Sequence, residues 1–143
     1  MNEPAAIAAK TSLGIQAIRC HTDGGLETLG LTLLAHYTTQ KKVETLIARG
    51  NVYQVGKNVF PDPRKPHRFD QPQEGVTIAD SRDRGEELVR AKRYKTEEDY
   101  FADDKTFTPE TMYLFKDGHW YFIDYDQIYE GLPRIPKKLE KAV

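Results

Sequence analysis

Cys20, His21 and Asp23 fall within four consecutive positions, directly ahead of Gly24 and Gly25. A thiol can act as a nucleophile or metal ligand, and an imidazole with a carboxylate can share acid–base work. A Gly-Gly turn ahead of a helix can offer backbone N–H groups to an anion. Each residue also has a plainer role. A lone cysteine is more often a small buried residue than a nucleophile, so Cys20 is expected in the core. Asp23 can simply orient the turn, with the glycines supplying unusual dihedrals. His21 and Asp23 therefore stand between a ligand role, shared with Gly24, and a structural one. No second Cys or clustered His completes a zinc site of familiar spacing, so neither a metal nor another cofactor is expected.

Arg82-Asp83-Arg84-Gly85-Glu86 is the second chemical cluster. If this segment is extended, Arg82 and Arg84 share one face and Asp83 takes the other. Planar guanidinium forks suit phosphate. A surface ion-pair cluster with Asp80, Asp83 and Glu86 would stabilise little. Gly85 points to a constrained backbone and favours a ligand role for at least one arginine. Upstream, residues 41–68 hold seven Lys or Arg against Glu44 and Asp62, whereas 96–104 is acidic. Segregated charge of this kind attracts anions. Phe69, followed by Asp70, is either a base-stacking residue or the hydrophobic anchor of its loop.

The elements that must position these groups follow from periodicity. Residues 15–20 alternate as a half-buried strand does. Leu26, Leu29, Leu33, Leu34 and Tyr37, then Val43, Leu46 and Ile47, recur at helical spacing, with Thr39 as a cap and Gly50 after the end. Residues 25–50 thus read as a helical hairpin, to which Val52 to Val55 add one more turn. Four prolines between Phe60 and Gln73 mark a long loop of the kind that is functional or disordered. Residues 76–79 read as a short strand, and 85–95 as strand or helix. Thr96 caps a helix that opens with three acids. Two aromatic runs flank Asp117-Gly118, which predicts an antiparallel hairpin of 111–116 with 119–124. Its aromatics are expected in the core and on the sheet surface, not as a stacking platform.

The fold class expected is α+β: a small antiparallel sheet with a helical hairpin packed beside it. Residues 1–13 read as a flexible arm or short helix, 14–132 as a single domain and 133–143 as a basic, peripheral tail. At 143 residues the chain is long enough to bury a core. A net charge of −1 argues against coating nucleic acid with the whole surface. One cysteine fits a reducing compartment. No apolar run reaches membrane-span length. Residues 1–9 lack the basic n-region of a signal peptide, so the cytoplasm is expected.

The order of motifs resembles a family of small, mostly uncharacterised proteins of bacteriophages and prophages. The resembling blocks are Cys20 to Gly24, Gly30 to Tyr37, Lys42 to Gly50, Phe69-Asp70-Gln71-Pro72 with Glu74-Gly75-Val76, Arg82 to Glu86, and Leu114 to Trp120. They span roughly residues 18–123. The resemblance implies a host-takeover or anti-defence factor, with one subclass sequestering nucleotide signals of bacterial immunity. The expectation is a non-enzymatic binder of a nucleotide-like anion, working in the host cytoplasm. Arg82 and Arg84 would hold phosphate, Phe69 would stack on a base, and Asp23 with His21 would bond ribose or base edges, with Gly24, Asp70 and Asp83 as further ligand-binding residues. One alternative is a hydrolase or nuclease that uses His21 and Asp23, or His67, as acid and base. Another is an inhibitor that binds a host protein complex through its charged face. A homo-oligomer is compatible with any of these.

Overall fold

The computed structural model describes residues 2–143. An eight-stranded sheet runs through the molecule with helices on both faces, so the class is α+β, with a larger sheet than expected. Strands β1 (Ala5–Thr11) and β2 (Gly14–Cys20) form an antiparallel hairpin at its centre. Next along the chain come one π turn (Leu26–Gly30) and helices α1 (Leu31–His36) and α2 (Gln40–Ile47). Then follow β3 (Val52–Gln54), β4 (Ile78–Ala79), α3 (Asp80–Arg84), β5 (Lys92–Tyr94) and α4 (Glu97–Ala102). The hairpin β6 (Thr111–Lys116) and β7 (His119–Ile123) leads to α5 (Tyr125–Tyr129) and β8 (Lys137–Lys138). The order is β4-β3-β2-β1-β6-β7-β8, and β5 also pairs with β2. The pairs β1–β6 and β2–β3 are parallel, so the sheet is mixed where an antiparallel one was expected.

Strand periodicity divides the core in two. Ala5, Ile7 and Ala9 of β1, Ile18 and Cys20 of β2, and Tyr113 and Phe115 of β6 pack with Leu33, Val43 and Leu46 of the helical hairpin. The alternate positions Ala6, Ala8, Ile15, Ala17, Met112 and Leu114 pack with Tyr100 and Phe101 of α4 and Ile128 of α5. Residues 5–11, expected in an arm or short helix, are therefore the sheet's centre. Ala5 to Ala9 are fully buried on both faces, so they show no polar alternation, and alanine is a weak strand former. Small side chains there let both helix layers approach the sheet closely.

Other boundaries follow local chemistry. Thr39 accepts from the Lys42 N–H and Thr96 from the Asp99 N–H, as expected of caps. Asp117 and Gly118 both have positive φ, 52° and 80°, the mark of the tight turn that the hairpin needs. Buried aromatic donors end on carbonyls: Tyr37 Oη on Gly56, Tyr100 Oη on Tyr113, Tyr113 Oη on Gly24 and Trp120 Nε1 on Tyr37, all at 2.7–2.9 Å. Residues 52–54, expected as a helical turn, are strand β3, because Gly50, just past the end of α2, takes a positive φ of 75° and Val52 pairs back beside Cys20. The tail is not peripheral. Its β8 pairs with β7, and Leu139 beyond it is wholly buried. Among the described residues no helix is long and apolar enough to cross a membrane.

Candidate functional site

After β2 the chain stays bonded to β3: the His21 N–H donates to Val52 O and the Thr22 N–H to Tyr53 O. This register lays the His21 ring on the Tyr53 ring, with centroids 5.2 Å apart and planes within 24°. Arg84, at the end of α3, reaches the same place. Its guanidinium lies 4.8 Å from the Tyr53 ring centre and 4.6 Å from that of Phe69. Phe69 meets Tyr53 edge-on at 5.0 Å. Residues from β2, β3, α3 and the long loop thus converge, and His21, Phe69 and Arg84 come together.

Each member is held. Arg19 donates Nε to Phe107 O and places Nη1 2.8 Å from His21 Nδ1. A guanidinium only donates, so Nδ1 is the acceptor and the neutral ring carries its proton on Nε2. Arg84 bonds Asp80 at 3.3 Å and lies 3.6 Å from Glu86. Burial raises the Asp80 carboxyl above its ordinary value, against the opposing pull of the Arg84 bond. Phe69 sits at the tip of a turn closed by Arg68 and Gln71, whose backbones exchange both hydrogen bonds. Phe69 remains 39% exposed.

Arg82 and Asp83 have internal roles. Both lie on a helical turn, not on extended chain, because Asp80 to Arg84 close α3. Arg82 spends its fork on Asp83, Val59 O and Thr77 O at 2.6–2.8 Å. Asp83 also accepts from the Ala79 N–H, and His67 Nε2 stands 3.2 Å from it. His67 Nδ1 accepts from the Gln73 N–H, so the long loop is tied to α3 through a buried His–Asp–Arg junction. Burial pushes the Asp83 carboxyl up, but its bonds to Arg82, Ala79 and His67 outweigh that and leave it below the ordinary value.

Asp23 has positive φ, takes the Gln54 amide on its carboxylate and the Thr28 hydroxyl on its carbonyl, and so orients the turn. Gly24 is packed against the N-terminal strand: a Cβ there would lie 2.5 Å from Glu3 O and 2.6 Å from Ala5 Cβ. Asp70 points outward beside Arg68 at 3.5 Å. Cys20 is buried and donates to Thr22 O, and burial pushes its thiol up to about 12. Among the described residues no three His, Cys, Asp or Glu side chains gather as a metal site requires.

Sequence reasoning missed Arg19 and Tyr53, and named Asp80 only as an ion-pair partner, which it is for Arg84. Arg19 carried a usable signal, since it lies two positions before His21 on an extended chain and shares its side. Tyr53 was hidden by the reading of β3 as a helical turn. Set against family models, curated proteins and solved structures, the chain matches none of them.

Proposed function

We propose that the protein binds a nucleotide-like anion and holds it without cleaving it. In line with the resemblance of its motif blocks to those of small phage and prophage proteins, it would act as an anti-defence factor that sequesters a nucleotide-derived immune signal in the host cytoplasm. The observation that carries the reading is the meeting of Arg84 with Phe69, Tyr53 and His21. Of the guanidinium laid on these aromatic rings, Nη1 goes to Asp80 and Glu86, which leaves Nε and Nη2 for phosphate, while the exposed part of Phe69 offers a stacking surface for a base. His21 presents Nε2–H to a ribose or base edge. Holding is favoured over cleavage by what the reactive groups already do: Cys20 is buried, Asp23 is taken by Gln54, and His21 Nδ1 is taken by Arg19.

The test is calorimetric titration with cyclic, linear and ADP-ribose-derived nucleotides, followed by heat release and chromatography. Intact ligand should return in stoichiometric amount. Arg84→Ala should weaken binding about tenfold or more, the loss of one charge-assisted bond. Lys95→Ala, remote and exposed, should change nothing. No binding at micromolar concentration defeats the reading, and turnover products would make the protein a hydrolase.

A further inference from the structure

We infer a second ligand site, for a phosphate group carried on an organic body, in the cleft between α2 and β5. The cleft encloses about 390 Å³, inside the range of roughly 300–1,000 Å³ typical of small-molecule sites. Arg90 and Arg93 line it, and neither has an ion pair or side-chain hydrogen bond among the described residues, although Glu86 and Glu87 lie close in sequence. The β2–β5 register sets Gln16 directly opposite Arg93, so their side chains stand side by side on one face of the sheet. Two guanidinium forks without an acceptor of their own therefore border the space, beside a Gln16 amide whose Oε1 already accepts from the Thr11 hydroxyl at 3.0 Å.

The carboxylate at the rim does not fill that role. Glu44 takes the Gln40 amide at 2.7 Å, and Gln40 is itself fixed to Lys10 O at 2.8 Å. Ile47, Ala48 and Ala91 supply an apolar part of the lining. Such a wall offers an inorganic anion nothing, but it rewards a ligand whose phosphate is joined to carbon-rich surface. Planar forks select phosphate by paired N–H···O bonds.

This site is separate from the Arg84 cluster. Gln16 shares its face of β2 with Ile18 and Cys20, which pack toward α2, whereas Arg19 lies on the alternate face. The inference stands whether or not the Arg84 cluster binds nucleotide.

The experiment titrates the full ¹⁵N-labelled chain with pyrophosphate and, separately, with ADP, in the wild type and in Arg84→Ala. ADP should shift the backbone amides of Ala48 and Ala91 in both proteins, and should bind more tightly than pyrophosphate. Arg90→Ala with Arg93→Ala should weaken that binding about tenfold or more, with an unchanged melting temperature. Because both arginines are exposed, folding is not at stake. Arg93→Lys, which keeps the charge and loses the fork, should recover only part of the affinity. Absence of shifts at Ala48 and Ala91 up to millimolar ADP overturns the site, as does full affinity in the double variant. Pyrophosphate binding as tightly as ADP overturns the organic-body assignment. Loss of the Ala48 and Ala91 shifts in Arg84→Ala overturns the separation of the two sites.

Discussion

Cys20 shows how burial settles a residue's chemistry. Wholly buried and with its thiol pushed up to about 12, it has almost no thiolate at neutral pH. Native protein should therefore resist iodoacetamide for hours and label fully only in denaturant, and rapid stoichiometric labelling of the native form would refute this. Asp83 shows the opposite case. Its folded value lies below the unfolded one, so the stability it contributes is present at neutral pH and is lost as pH falls from about 4 through the folded value. Asp83→Asn should cost about 1–3 kcal/mol at pH 7. In urea melts the gap from wild type should narrow progressively below about pH 4. A gap that stays constant down to pH 2 would remove the charged junction from the account.

Among the elements, local signals were legible and buried ones were not. The 111–123 hairpin could be read because its turn dipeptide and aromatic runs are local chemistry, and the helical hairpin because its apolar stripe is periodic. β1 could not, because burial on both faces erased the alternation. The same holds for the site. His21, Phe69 and Arg84 stood out by type, but the α3 turn that separates Arg84 from Arg82 depends on Asp83 folding back on Ala79. The tail makes the point in energy. Leu139 is completely buried against the sheet after β8, and Leu139→Ala should cost about 2–5 kcal/mol as measured by chemical denaturation. A cost below half a kilocalorie would return the tail to the periphery.

At the scale of the whole molecule, the α+β class was legible from element types, whereas the strand order was not. A parallel partner chosen across most of the chain leaves no local mark on either segment. β1 shows what this implies. One edge of it is covered at once by β2, but the other pairs with residues 111–115, about a hundred residues later. At a synthesis rate of roughly 5–20 residues per second, that edge waits on the order of ten seconds for its partner. For that interval an alanine-rich edge, uncharged over Ala5–Ala9, stands open beside the ribosome. The nascent chain is then most exposed to pairing with a neighbouring copy or to capture by a chaperone. The hazard belongs to the order of manufacture, and it closes when β6 slots in beside β1.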